Sequence, residues 1–497
     1  MTAITPIIID KPTTLDADVV IIGTGAGGAT TAKMLTKAGL NVIMLEEGGY
    51  HHSSSFNGSI ADLMDLLYRD GGVSPIMGRP AIPFAEGRCV GGTTVINGGV
   101  YWRTPDKLLS RWSNELNLPE LTEAILDPHF NMLADELGVT AHHKPGTNQP
   151  SNLLAQGCDK LGWRYSDVPR GQKNCQNSNR CPTGCPNAAK QSMLVSYVPM
   201  AVQQGARLVA NARAERINIE NGRATGVAAM ATGSDGQRHM LTIHANATFV
   251  CAGPMQTPFI LRRSGVKTEV GHGLQLHLNL KAVAIFPQDI SPAMGTVMSK
   301  QVKEFDDRDL FICSSTFDPV YLALALAAHG QKVVESVMSG WQNASIYVAQ
   351  VKADTSGQVH ALPMMDRPMP TYSLTKNDIS NFRFAIEQMG EVLLASGAKE
   401  IYLPIAGTGP VRTMSEVRKL AQGSLNPRAL DLVSVHAMSS CRLGTALDAF
   451  GQVKGVNRLF VNDASMLPEA TGVNPQMTIM AIAMRNALAF LDNKAAA

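Results

Sequence analysis

The apolar pattern is sharpest near the start of the chain. Asp18-Val19-Val20-Ile21-Ile22 is a short run of strand type, Gly23-Thr24-Gly25-Ala26-Gly27-Gly28 is a glycine turn, and Ala29 to Ala38 has apolar residues at helical spacing. A second apolar run, Asn41-Val42-Ile43-Met44-Leu45, ends in Glu46. Strand, glycine turn, helix, strand and acid in that order predict a βαβ dinucleotide-binding unit. Gly23 allows the tight turn, Gly25 lets backbone approach a pyrophosphate, and Gly28 lets helix and strand pack closely. The helix that the turn opens onto, from Ala29, has at its N-terminus unpaired N–H groups that suit phosphate. Glu46 stands where a carboxylate can hold ribose hydroxyls. The unit alone does not separate FAD from NAD.

Further along, Asp106 to Leu137 reads as helical, with Trp112, Leu116 and Leu121 as core and Gly138 as its stop. Gly171 to Asn187 breaks regular structure with Asn, Pro, Gly and three Cys. Ala206 to Val250 alternates like strands and leads to Phe249-Val250-Cys251-Ala252-Gly253, a buried strand before a glycine turn. Leu280 to Pro287 and Ala344 to Lys352 read as strands of a second, more antiparallel layer. Asn377 to Ser396 is an amphipathic helix with Thr375 or Asn377 as N-cap. A last helix runs from Gln476 to Asp492.

At 497 residues the chain is too long for one ordinary core. Apolar content of 45% and charged content of 17% suit a packed soluble enzyme. A net charge of +2 with scattered basic residues gives no case for a nucleic-acid partner. The 24 methionines are mostly core filler, though they also suit adaptable apolar pockets. Tyr321 to Leu326 is too short to span a membrane, Met477 to Leu491 is interrupted by Arg485, and Met1 to Pro12 has no leader pattern. The default expectation is a cytoplasmic protein, with periplasmic location by co-export on a partner's signal left open.

The segment Gly87 to Arg103 carries too many glycines for a plain loop. Such spacing lets main chain lie flat against a planar ligand, which favours a buried flavin over nicotinamide. Near the other end, Asp463 and Ala464 follow an apolar strand, and Gly472-Val473-Asn474-Pro475 leads into the final helix.

Together these residues resemble the glucose–methanol–choline (GMC) oxidoreductase family nearly end to end. Four blocks match in the family's order: the N-terminal fingerprint, Gly87 to Arg103, Cys251 to Pro258 with Ser264-Gly265, and His436 to Gly444 with Asn462 to Thr478. The resemblance implies α/β plus antiparallel β: a Rossmann-like FAD-binding domain interleaved with a mixed α+β substrate domain on an antiparallel sheet. The expected segments are 1–110, 192–282 and 440–497 for the first, and 111–191 and 283–439 for the second. It further implies FAD held by Gly23, Gly25, Ala26, Gly28, Glu46, Arg88, Gly91, Gly92, Thr93, Asn97, Gly98, Gly253, Asp463, Ala464, Asn474 and Pro475. Members that attach FAD covalently often carry His just before the equivalent of Asn97. Here that residue is Ile96, so non-covalent FAD is expected.

Oxidation of an alcohol by a flavin needs a base for the hydroxyl proton while the carbinol carbon gives hydride to flavin N5. Neutral imidazole suits that task, and a second polar group should steady the oxygen. By the resemblance, His436 is the base and Asn474 its partner. Relatives commonly have Gly-Thr where Ser439-Ser440 stands, so the loop carrying His436 can be set differently.

Cys175, Cys181 and Cys185 lie within loop 171–187. Three is an odd number for disulfides, structural zinc wants four ligands, and three thiolates suit a [3Fe–4S] cluster. Disulfide or free thiols, and zinc with Cys158 as fourth ligand, stay open. The remaining cysteines, Cys89, Cys251, Cys313 and Cys441, read as small core residues. The spacing resembles that of an electron-relaying GMC branch, the bacterial FAD-dependent glucose dehydrogenase catalytic subunits. That resemblance implies a dehydrogenase serving an external acceptor, a cytochrome or quinone-linked subunit, with room for a small chaperone-like subunit. The rivals are an oxidase that uses O2 with structural cysteines, and a non-catalytic electron-relay flavoprotein. The pairing of a base with Asn474 argues against the latter. No motif names the alcohol.

Overall fold

The apolar run at Val19–Ile22 closes the strand Thr13–Ile22, which pairs in parallel with Val42–Leu45 on one side and Arg238–Val250 on the other. Covered on both faces, Val19–Ile22, Val42–Leu45 and Ala247–Val250 are continuous buried runs, whereas residues 238–246 alternate between buried and exposed. The computed structural model describes residues 4–142, 146–423 and 425–495. Within them, the first sheet runs in the order 207–209, 42–45, 13–22, 238–250, 223–232, 212–220, with 459–461 also on 238–250. The last three strands of that order form an antiparallel meander. Helix Ala26–Lys37 fills one face and packs on the C-terminal helix Gln476–Ala495.

The second sheet is mostly antiparallel, in the order 74–76, 82–84, 432–438, 272–285, 344–352, 310–314, 300–302, 165–167. Its central strand, His272–Ile285, shows why it has two faces. Leu274, Leu276, Leu278 and Leu280 are buried in an apolar core with Phe382, Ile386 and Met389 of helix Lys376–Ala395. Gln275, His277, Asn279 and Lys281 alternate with them and point the other way, towards the first sheet. This is the α/β plus antiparallel β architecture expected from sequence.

Several local expectations need correction. The stretch Asp106 to Leu137 is two helices, Asp106–Asn114 and Glu123–Leu137, and Leu116 between them is exposed. Thr375, and not Asn377, caps its helix, in a reciprocal capping box with Asp378. The strand expected from Leu280 already begins at His272. The boundary drawn at 282/283 therefore falls inside a strand. Strands Ser74–Ile76 and Ile82–Phe84 join the second sheet, and Trp112, Leu126 and Phe130 pack into the first core. Among the described residues, no helix is long and apolar enough to cross a membrane.

Candidate active site

A cavity of about 680 Å3 runs from the glycine fingerprint to the polar face of the second sheet. Gly23, Gly25, Ala26, Glu46, Gly92, Thr93, Asn97 and Gly98 line it from the N-terminal blocks. Gly253, His436, Asp463, Ala464, Asn474 and Pro475 line it from the later ones. Three expected contact residues lie off its wall. Gly28 packs behind, where a Cβ would sit 2.0 Å from the Gly23 carbonyl oxygen. Gly91 donates its N–H to Thr24 Oγ1 at 2.9 Å. Arg88 pairs with Glu47 at 3.2 Å, its side chain half exposed.

The glycines separate two demands. A Cβ on Gly27 would meet the Asn462 carbonyl oxygen at 1.7 Å, so packing requires glycine there. A Cβ on Gly25 would meet nothing within 4 Å, so the protein itself leaves that space open. Gly25 is also the N-cap of Ala26–Lys37, and no side chain caps the first turn. Its free N–H groups and the open cradle fit a pyrophosphate. Glu46 accepts from Thr24 N (3.1 Å), Thr24 Oγ1 (2.8 Å) and Gly48 N (3.0 Å). A carboxylate offers about four lone-pair sites, which leaves one for a ribose hydroxyl. Burial raises the Glu46 pKa against those hydrogen bonds. Asp463 acts as a clamp: it accepts from Gly253 N (2.9 Å), Thr257 Oγ1 (2.5 Å), Ser465 N (2.7 Å) and Ser465 Oγ (2.5 Å).

The two expected catalytic side chains meet. His436 Nε2 lies 3.4 Å from Asn474 Nδ2. His436 stands on strand Leu432–Met438 at a register slip: His277 faces His436, whereas Leu278 faces Ser434. The extra residue, Val435, makes a bulge, and both Val435 and His436 then reach the cavity. Past the strand, Ser439 adopts φ +70°, a left-handed conformation that favours glycine.

Behind His436 sits His277, a residue outside all four matching sequence blocks. The fully buried His277 places Nδ1 3.1 Å from His436 Nδ1 and 3.1 Å from Gln350 Nε2. It accepts the Gly472 N–H on Nε2 at 3.1 Å. A neutral imidazole has one lone pair, so Gly472 and a proton on His436 Nδ1 compete for it. The signal was in the sequence: Gln275, His277, Asn279 and Lys281 alternate with leucines. Burial lowers His436 to a pKa of about 4. Burial first, then the His436 and Lys352 charges, hold His277 well below the imidazole range. Both rings are neutral at pH 7.

Beside these polar groups, Phe311, Ile346, Val348 and Val433 of the same sheet, with Cys313 among them, and Phe317 make an apolar stretch of the wall, interrupted by Asn279, Lys281 and Gln350. Cys313 is thus a cavity residue as well as a core one. The three loop cysteines line a second cavity of about 20 Å3 with Arg170 and Lys190. Arg170 NH2 donates to Cys181 Sγ at 3.3 Å, and Lys190 N donates to Cys185 Sγ at 3.5 Å. Asn174, Asn177, Asn179 and Ala188 turn the loop with positive φ. Cys158 packs in the second core and is not on this wall. All eight cysteines are free thiols, and among the described residues no group of three or more His, Cys, Asp or Glu is arranged to hold a metal ion.

The cradle, the imidazole–carboxamide pair and the interleaved sheets define an FAD-dependent oxidoreductase acting on CH–OH donors. Family models agree. Two for GMC oxidoreductases match residues 64–279 and 352–483, and one for an FAD binding domain matches 18–68. The chain is 37% identical to the uncharacterized GMC-type oxidoreductase y4nJ of Sinorhizobium fredii, over 96% of this chain and 95% of the relative. It is 27% identical to long-chain-alcohol oxidase FAO3 of Arabidopsis thaliana, over 94% and 67%. In fold it matches pyridoxine 4-oxidase from Mesorbium loti, with a TM-score of 0.74 and 17% identity over 96% and 99%. The chain belongs to the GMC oxidoreductase family.

Proposed function

We propose that this enzyme oxidises an alcohol with an extended apolar chain to the carbonyl compound, with non-covalent FAD. The carrying observation is the His436–Asn474 pair, 3.4 Å apart on a cavity that continues to the open Gly25 cradle. In the tautomer whose proton sits on Nδ1 and donates to His277 Nδ1, which displaces the Gly472 N–H from the His277 lone pair, His436 takes the hydroxyl proton on Nε2 while Asn474 holds the oxygen. When bound, FAD supplies the acceptor for the hydride and its two electrons. A base of low pKa suffices because a carbinol losing hydride becomes a protonated carbonyl, a strong acid. Ile96 at the cavity wall offers no nucleophile for a flavin bond. The apolar wall around Phe311 and Phe317, and the similarity to a long-chain-alcohol oxidase, support an aliphatic substrate over a sugar.

The same reading includes a [3Fe–4S] cluster on Cys175, Cys181 and Cys185. The three thiols share one cavity, but at about 20 Å3 it has room for about one water. Among the described residues no group of three or more His, Cys, Asp or Glu is arranged to hold a metal ion. The loop as it stands therefore does not fit a cluster, and the reading rests on the number and spacing of the thiols. When present, the cluster supplies one-electron transfer to an external acceptor such as a cytochrome or quinone-linked protein. The test is anaerobic mixing of flavin-loaded enzyme with alcohols of rising chain length, with iron measured in the same sample. Flavin bleaching that strengthens with chain length supports the proposal. Bleaching by no alcohol overturns the chemistry, and rapid O2 consumption by iron-free enzyme favours the oxidase alternative.

A further inference from the structure

We propose that Asn279 recognises a second hydroxyl on the substrate, and that the preferred alcohol is therefore an aliphatic diol. The inference rests on the alcohol reading above and narrows it. Asn279 lines the same cavity as His436 yet is only 7% exposed. On its rung of the sheet it faces Gln350 on one side and Val433 on the other, with Phe311 beyond Gln350. Gln350 is already engaged, its Nε2 lying 3.1 Å from His277 Nδ1, and Val433 has no polar side chain to offer. Asn279 Oδ1 is left buried with no partner. The last torsion of asparagine is broad, so the amide can turn this oxygen to a ligand. A buried acceptor is costly to leave unpaired, so a donor that a ligand brings to it is held firmly.

The surroundings pick a neutral hydroxyl over a charged group. An ionised carboxylate has no proton to give the Asn279 oxygen. Lys281, two residues further along the strand and also on the cavity, has Asp431 at 3.6 Å, so its charge already has a counter-ion. An ammonium on the substrate would bring a second cation beside Lys281. The strand also sets the spacing. His277 faces His436 across the sheet, and Asn279 lies two residues on, about 7 Å along the strand. With the carbinol at His436, an extended chain covers that span in about five carbon–carbon bonds of ~1.5 Å each. Val433 and Phe311, on the same rung as Asn279, give the methylenes apolar neighbours.

The experiment is anaerobic single-turnover flavin reduction of the FAD-loaded enzyme by n-hexanol, its terminal diol and its ω-hydroxy carboxylate, in wild type and Asn279→Leu. The readout is the ratio of reduction efficiencies, rate over apparent dissociation constant, for diol against hexanol. In wild type that ratio is expected to be about tenfold or more, because hexanol leaves the amide unpaired. This exceeds the roughly twofold gain that a second equivalent carbinol supplies by statistics alone. In Asn279→Leu the ratio is expected to fall to that statistical value, and Asn279→Ala takes its place should the leucine variant fail to fold. A statistical ratio in wild type, or an undiminished ratio in the variant, would overturn the inference. Preference for the hydroxy carboxylate over the diol would also overturn it, by making Lys281 the reader. Reduction by none of the three would instead sink the alcohol reading beneath it.

Discussion

The depressed pKa of His436 has a direct kinetic consequence. Burial takes this imidazole from 6.5 to about 4, so the base form persists far into acid. At pH 5.5 an ordinary imidazole would be about 9% neutral, whereas one titrating near 4 would be about 97% neutral. The perturbation is pH alone, and the assay is anaerobic stopped-flow reduction of the bound flavin by a saturating alcohol from pH 4.5 to 8. The account expects a nearly flat rate down to pH 5.5, with a fall only below about pH 5. An acid limb centred between 6 and 7 would refute the reasoning, because the reacting imidazole would then be behaving as if in water. Stability should follow the same sign. His436 and His277 both have folded pKa values below 6.5. Between 6.5 and those values the unfolded chain binds protons that the folded one refuses, so stability is lost as pH falls through that window.

Three further outcomes follow from the geometry. Gly25→Ala should leave the apoprotein's thermal stability unchanged but abolish flavin retention on desalting, whereas Gly27→Ala, aimed 1.7 Å from a carbonyl oxygen, should lower apoprotein stability by about 1–3 kcal/mol. Equal behaviour of the two would contradict the division between packing and ligand glycines. Ser439→Gly should stabilise the protein by about 1–2 kcal/mol in urea melts. It relieves a left-handed residue at about 1–2 kcal/mol and removes a buried hydroxyl without a partner, against about 0.5–1 kcal/mol of glycine entropy. A destabilised variant would show that the strain is absent. His277→Leu should keep its flavin yet slow flavin reduction by roughly tenfold to a hundredfold, since the ring that orients His436 is gone; a wild-type rate would make His277 merely structural.

What sequence reveals here depends on how far each signal travels along the chain. The fingerprint is legible because strand, turn and helix are contiguous and their glycines obey local sterics. His436 and Asn474 were legible only through the order of blocks resembling a family, since nothing local says that residues 38 positions apart converge. His277 carried a local signal, the alternation of polar residues with leucines, but reading the strand only from Leu280 hid it. The bulge at Val435 left no such mark, because it exists only in the pairing of two strands far apart in sequence. Arg88 shows the opposite failure: a residue inside a matching block that is not on the cavity wall itself but pairs with Glu47, which is. Leu116 is apolar and exposed because the segment between the two helices breaks the period that would have buried it.

The central claim is that His436 removes the hydroxyl proton as hydride leaves the same alcohol. The most direct measurement is single-turnover flavin reduction by one good alcohol in wild type and His436→Gln, with flavin content matched and oxygen excluded. The account predicts a rate lower by about 10²–10⁴-fold in the variant with substrate affinity little changed. Reduction at the wild-type rate without the imidazole would contradict it.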